Sequence, residues 1–192
     1  MDKKRIITIA GRPGSGKSTT AKAVAEKLGF EHFSSGDLFR ALGKERGVNV
    51  LQANLSAEDN AEIDHLVDQR LRDIGIRDNQ KVIDSRMAWH WMPTSYKVFL
   101  DLDLVVAAER ILNGMDDVRL LSEHIHHDPA EYALLLEQRL ASEARRYKAL
   151  YDADPFDTSN YDLIIDTGTN SINEVVDQVL QGFQYWLTPQ AE

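Results

Sequence analysis

Gly11-Arg-Pro-Gly-Ser-Gly-Lys-Ser18 fits G-x-x-x-x-G-K-[ST], the spacing of a loop that holds phosphate. Glycines in such a loop let successive backbone N–H groups turn inward on an anion. Lys17 is long enough to reach β- and γ-phosphates, and the Ser18 hydroxyl is a ligand type for Mg²⁺. A plain glycine turn between a strand and a helix is the alternative, so the surroundings decide. Three other groups carry charge in suggestive places. Val82-Ile-Asp84-Ser-Arg86 ends an apolar run on a carboxylate, where Mg²⁺ can be held directly or through water. Arg86 can point into the same crevice, and its planar fork suits a pair of phosphate oxygens; an incidental surface ion pair is the other reading. In Ser34-Ser-Gly-Asp-Leu-Phe-Arg40, Arg40 lies one turn past Gly36 and can reach back over a helix start. There the alternative is an N-cap, Ser35 or Asp37, with Arg40 in solvent. Arg139 and Arg146 share a helical face from which Arg145 points away, although Glu137 and Glu143 also permit a solvated salt-bridged face. The chemistry these residues suit is phosphoryl transfer, which asks for positioning, charge neutralisation and exclusion of water.

The elements that must carry them alternate. Arg5–Ala10 is β-branched and reads as a strand; Thr19–Leu28 reads as a helix stopped by Gly29. A strand, a glycine loop and a helix N-terminus together make an anion site. Glu31–Ser34 reads as a second strand, and Gly36-Asp37 opens a helix through about Arg46. Ser56-Ala-Glu-Asp59 resembles a capping box for a helix to about Ile74 with Gly75 as its stop. On that helix Ile63, Leu66, Val67, Leu71 and Ile74 recur at core spacing. Strands are predicted at Lys81–Asp84, Lys97–Asp103 and Tyr161–Asp166. Helices are predicted from Leu104 to Leu112, from Pro129 to about Tyr151 and from Ser171 to Trp186. Residues 113–128 read as polar and irregular. Strands alternating with helices imply a parallel sheet covered on both faces, with ligands beyond the carboxyl ends of the strands.

Composition bounds the class. The 192 residues contain no cysteine, so neither disulfide nor thiolate chemistry is open, and a cytoplasmic setting is expected. No stretch is apolar enough for a signal peptide or a membrane span. The net charge of −9 argues against broad nucleic-acid binding. An acidic chain that binds polyphosphate must gather its arginines locally. His124-Ile-His-His127 reads as a polar loop rather than a metal site, and Trp89 and Trp91 as apolar anchors or base-stacking rings.

Taken in order, these motifs resemble those of the nucleoside monophosphate kinases, in particular the short cytidylate kinases of archaeal type. Gly11–Thr19 is similar to the donor loop of that family. Ser34–Arg40 is similar to its acceptor-binding Ser-Ser-Gly-Glu/Asp-x-Phe-Arg, and Val82–Ala88 to its Val-Ile-Glu-Gly-Arg-Leu-Ala. Arg139–Tyr147 resembles its Arg-Glu-x-Ser-Glu-x-x-Arg-Tyr, and Tyr151–Leu163 the stretch before its last strand. The resemblance spans nearly the whole chain. It implies one P-loop NTPase domain over residues 1–192, a three-layer α/β/α fold on a five-stranded parallel sheet. A helical acceptor-binding insertion would occupy 37–75 and a short lid about 110–128.

Further implications concern the site. ATP would lie on Gly11, Arg12, Pro13, Gly14, Ser15, Gly16, Lys17, Ser18, Thr19 and Arg110, with Gly168-Thr169 bordering the adenine. The acceptor monophosphate would be held by Ser35, Gly36, Asp37, Arg40 and Arg86. Lys17, Arg86, Arg139 and Arg146 would be the catalytic cations, and Ser18 and Asp84 would hold Mg²⁺. The implied reaction is ATP-dependent phosphorylation of CMP or dCMP by a monomer whose only partners are small nucleotides. Another acceptor (AMP, UMP or a different small molecule) and an ATP-binding regulator without transfer are the competing readings. The chain departs from the family at Ser85, where the pattern has glycine, and in a lid with Asp116, Asp117 and a single arginine, Arg119.

Overall fold

The computed structural model describes residues 3–45, 57–114 and 128–188. Five strands, β1 (Ile6–Gly11), β2 (Glu31–Ser34), β3 (Lys81–Asp84), β4 (Tyr96–Asp101) and β5 (Leu163–Asp166), form one parallel sheet in the order β2-β3-β1-β4-β5. The helices are α1 (Lys17–Leu28), α2 (Ser35–Glu45), α3 (Ala57–Arg77), α4 (Ala88–Trp91), α5 (Leu104–Asn113), α6 (Pro129–Tyr151) and α7 (Ile172–Leu187). β1 is central because Ile-Ile-Thr-Ile-Ala-Gly can be buried along its whole length. β5 alternates buried and exposed positions, as an edge strand with one covered face does.

Each face of the sheet packs its own helices, giving a three-layer α/β/α arrangement. Ile7, Ile9, Val98 and Leu100 meet α1 and α7 through Val24, Val176, Val179 and Phe183. On the opposite face Ile6 and Ile83 meet α3 through Ile63, Leu71 and Ile74, and α4 through Ala88, with Met92 just beyond it. A third cluster, Leu102, Ala107, Ala108, Ala133 and Leu136, joins α5 to α6. Among the described residues, no helix is long and apolar enough to cross a membrane.

Most element ends fall within two residues of the sequence reading, and two differences are instructive. Gly75 does not stop α3, which runs on to Arg77. A Cβ at Gly75 would sit 3.0 Å from Met92 Cγ and from the Trp91 carbonyl oxygen, so this glycine lets the helix approach α4. The end of α3 is tied instead by Lys4, whose ammonium donates to the carbonyls of Gly75, Ile76 and Asp78. Leu66 is only half-buried, whereas Asp68, a charged residue, sinks into the packed face at 7% exposure. The expected capping box begins at Ser56, outside the described residues.

Candidate functional site

β2 and β3 end level, and β1 runs on two residues beyond them to Gly11. Ser34 pairs with Asp84, and Asp84 with Ile9, so the segments that leave these strands open on one rim. At that rim the chain from Gly11 to Lys17 wraps into a loop. Gly11 has φ 147, and a Cβ on it would meet the Leu100 carbonyl oxygen at 2.2 Å, so a side chain here is incompatible with β4. Gly14 and Gly16 have φ 69 and 80, in the left-handed region, and α1 starts on Gly16 without a side-chain cap. The helix N-terminus therefore presents open N–H donors at the loop.

Lys17 folds back over the loop, donating to the Arg12 carbonyl oxygen at 2.8 Å, which also accepts from Ser15 Oγ at 2.8 Å. Burial first, and then repulsion from Arg86, push the Lys17 ammonium down to about 7, with Asp84 and Glu143 opposing. The Arg12 side chain turns away, its Nε 2.6 Å from Asp101 Oδ1. Pro13 is half-buried within the loop, and Ser18 and Thr19 are exposed on the first turn of α1.

Asp84 closes β3 with 6% exposure. Its Oδ2 is buried and accepts no hydrogen bond; His32 Nε2 lies 3.6 Å away. A buried carboxylate oxygen with unspent acceptor capacity beside a phosphate loop fits a divalent cation. Among the described residues, no three His, Cys, Asp or Glu side chains converge as a self-sufficient metal site, so a cation here takes its remaining ligands from phosphate and water.

The arginines come together. Arg40, Arg86, Arg139 and Arg146 line one pocket of about 200 Å³ with Ser35, Gly36, Phe39, Asp64, Val67, Glu143 and Tyr147. Arg40 does reach back to the start of α2, where it pairs with Asp37 and approaches Gly36. Ser34, rather than Ser35 or Asp37, caps that turn by accepting from the Asp37 N–H at 3.3 Å. Ser35 Oγ instead donates to the Asp84 carbonyl oxygen at 3.3 Å. Arg86 pairs with Glu143, which also accepts from Arg139 Nε at 3.0 Å. Arg146 faces Asp64, with NH1 3.6 Å from Oδ2. Arg145 lies on another surface of α6, beside Lys148.

A second cavity of about 420 Å³ borders the loop on its other side, between Gly14, Ser15, Gly16 and Thr19 and the turn Thr167, Asn170, Ser171. Arg110 lines it and donates to the Thr167 carbonyl oxygen at 2.8 Å. Gly168 and Thr169, expected here, line a neighbouring cleft with Arg12 and Asp101. Asp166 Oδ1 accepts the Gly168 N–H at 2.7 Å.

Comparison with known proteins gives the family. The family described as "AAA domain" matches residues 10–107. A cytidylate kinase of Haloarcula marismortui is 40% identical over 84% of this chain and 80% of its own length. One from Natronomonas pharaonis is 38% identical over 93% of this chain and 90% of its own. The chain belongs to the cytidylate kinase family. Solved structures of lower identity share the fold of this cytidylate kinase family member. Shikimate kinase from Bacteroides thetaiotaomicron has a TM-score of 0.61 at 19% identity, covering 93% of this chain and 98% of its own. A gluconokinase from Sinorhizobium meliloti has a TM-score of 0.58 at 18% identity, covering 97% and 95%.

One of the two departures from the cytidylate kinase pattern can be placed. Ser85 is buried, and its Oγ accepts the Met87 N–H at 3.3 Å, so the hydroxyl serves the chain leading into α4. Asp116, Asp117 and Arg119 of the expected lid, with His124, His126 and His127, lie outside the described residues. The tryptophans pack as anchors. Trp89 lies against Tyr161, and Trp91 lies under Arg72 and donates to Asp68. Sequence reasoning passed over Asp64, Phe39, Val67 and Tyr147 as pocket walls. Glu143, taken as evidence for a solvated face, is partly buried, its side chain 14% exposed, and pairs with two arginines. Its signal was present as Arg139-x-x-x-Glu143, one turn apart.

Proposed function

We propose that this protein transfers the γ-phosphoryl group of ATP to CMP or dCMP, giving ADP and CDP or dCDP. The observation that carries the reading is the convergence of four arginines in one pocket beside a phosphate loop and Asp84. In this reading the backbone from Gly11 to Gly16, with Lys17, Ser18 and Thr19, cradles the triphosphate. Arg110 borders the adenosine in the second cavity. Ser35, Gly36, Asp37, Arg40 and Arg86 hold the acceptor monophosphate, and residues 37–75 form the acceptor side. Residues from about 110 to 128 form the lid, of which 115–127 lie outside the described residues.

An oxygen of the acceptor phosphate attacks the γ-phosphorus, and the bond from that phosphorus to the β–γ bridging oxygen breaks. Lys17 holds the leaving side and Arg86 the attacking side. Arg139 and Arg146 add positive charge as negative charge spreads over the transferring group. Asp84 and Ser18 would hold Mg²⁺, which when bound neutralises the triphosphate. Before substrate enters, Glu143 occupies Arg86 and Arg139. The acceptor phosphate takes over those donors.

Release of ADP from Mg-ATP in the presence of CMP, dCMP, UMP, AMP or GMP, each alone, tests the reading. Turnover preferring CMP or dCMP supports it. Turnover only with another acceptor, or ATP binding without transfer, overturns it.

Lys17 adds a pH dependence. In the unfolded chain its pKa is near 10.5, and in the fold it falls to about 7. The free protein therefore gains stability from this group as pH rises from about 7 toward 10.5, where the unfolded chain binds the extra proton. Phosphates beside Lys17 favour its charged form, so nucleotide binding draws a proton onto it. Affinity for ATP is expected to weaken as pH rises through 7. Calorimetry at about pH 8, in buffers of different ionisation enthalpy, should register proton uptake. A buffer-independent heat would count against it.

A further inference from the structure

Asp101, the last residue of β4, is held firmly by its neighbours. It pairs in register with Asp166 of β5. Its carbonyl oxygen accepts from the Thr167 N–H at 2.9 Å and from Thr167 Oγ1 at 3.1 Å. Its Oδ1 accepts the Leu102 N–H at 2.9 Å, which sets the direction of the carboxylate. That same oxygen takes Arg12 Nε at 2.6 Å. The Arg12 main chain is tied to the same strand, its N–H donating to the Leu100 carbonyl oxygen at 3.1 Å. The end of β4 therefore grips the second residue of the phosphate loop by both backbone and side chain.

What this grip controls is the Arg12 carbonyl. Its oxygen takes two side-chain donors, Ser15 Oγ and Lys17 Nζ, each at 2.8 Å. A carbonyl oxygen has two lone pairs, so serving both donors restricts the peptide to a narrow range of orientations. Turning that peptide would loosen the Arg12-to-Ser15 turn and the seat of the ammonium together. The ion pair itself adds little to folding, because its side chains are 33% and 41% exposed and solvent screens them. Its effect is local, on the loop it touches.

We propose that Asp101 is a positioning residue of the donor site, acting through the Arg12 guanidinium to hold the Arg12 carbonyl where it seats Lys17 and closes the phosphate loop. This rests on the reading of that loop as an ATP site. It also reassigns the Arg12 side chain. The resemblance put Arg12 on ATP, whereas the guanidinium faces a separate cleft with Asp101, Asp103 and Asp166, and the main chain alone serves the nucleotide. Neither Arg12 nor Asp101 lines the arginine pocket, so the acceptor side lies beyond the reach of this pair.

The test is a double-mutant cycle. ATP affinity is measured by calorimetry without an acceptor, and transfer by steady-state rates with CMP. The proteins are the unaltered chain, Arg12→Ala, Asp101→Ala and the two substitutions together. Each single substitution should weaken ATP binding about fivefold and lower kcat/KM for ATP about tenfold, while KM for CMP moves less than about twofold. The double substitution should match the singles rather than multiply them. Asp101→Asn keeps an accepting oxygen and should recover most of the loss. With Arg12→Ala, it provides the readout if Asp101→Ala does not fold. Unchanged ATP affinity in Arg12→Ala, losses that multiply, an Asp101→Asn protein no better than Asp101→Ala, or an equal loss in KM for CMP overturns the proposal while the kinase reading stands. So does tighter ATP binding once Asp101 releases Arg12. The expected pattern in ATP affinity with transfer to no nucleotide overturns the kinase reading and upholds the positioning role. A protein that binds no ATP overturns both.

Discussion

Arg86→Ala is expected to lower kcat/KM for CMP by more than about 2 kcal/mol, or at least about thirtyfold. Two losses combine. One is the planar fork at the end of β3 that grips phosphate oxygens, which a lysine replaces only in charge. The other is the partner of Glu143, which would then face the incoming phosphate with Arg139 alone. Arg86→Lys should recover part of the rate and Arg86→Ala none of it. The same substitution removes a cation that depresses Lys17, so the lysine should titrate at higher pH in Arg86→Ala. Steady-state rates across pH read both effects together. An unchanged rate with CMP would take Arg86 out of the site.

Lys17→Met should act on the donor side and more severely, by about 3–4 kcal/mol, mainly in kcat. Methionine keeps the bulk of the stem but loses the ammonium that follows charge onto the leaving oxygens. It also leaves the Arg12 carbonyl oxygen with Ser15 Oγ as its remaining donor, so the loop keeps part of its internal bonding. The cradle of N–H groups from Gly14 to Gly16 stays, and ATP should still bind, more weakly. Single-turnover rates at saturating ATP separate the two contributions. A loss confined to KM would mean that Lys17 holds the ground state only.

Much of this architecture was legible beforehand because its signals are local. A β-branched run ending in Gly11, a glycine at each end of α1 and Pro129 behind Asp128 at the start of α6 each act on their own residues. The arginines were legible as candidates for the same reason. Their counter-ions were not. Whether Glu143 faces solvent or Arg86 depends on how α6 lies against the end of β3, a contact between residues far apart in the chain. Gly75 misled for a related cause: within α3 it looks like a terminator, and only the approach of α4 shows it to be a point of contact. α4 itself has four residues, too few for a helical period to register. Asp64 and Asp68 are indistinguishable by local pattern and are separated only by Trp91 and Tyr151, which arrive from elsewhere to donate to Asp68.

Asp68 pins α3 to two segments of the body at one point, and leverage follows from where that point lies. A helix that turns about a fixed position moves each residue in proportion to its distance from it. Asp64 is four residues from Asp68, about 6 Å along the axis, whereas Ala57 is eleven residues away, about 16 Å. Any swing of α3 therefore sweeps its outer turns through an arc more than twice that of Asp64. The helix can act as a long jaw while the carboxylate near its fulcrum keeps an almost constant address.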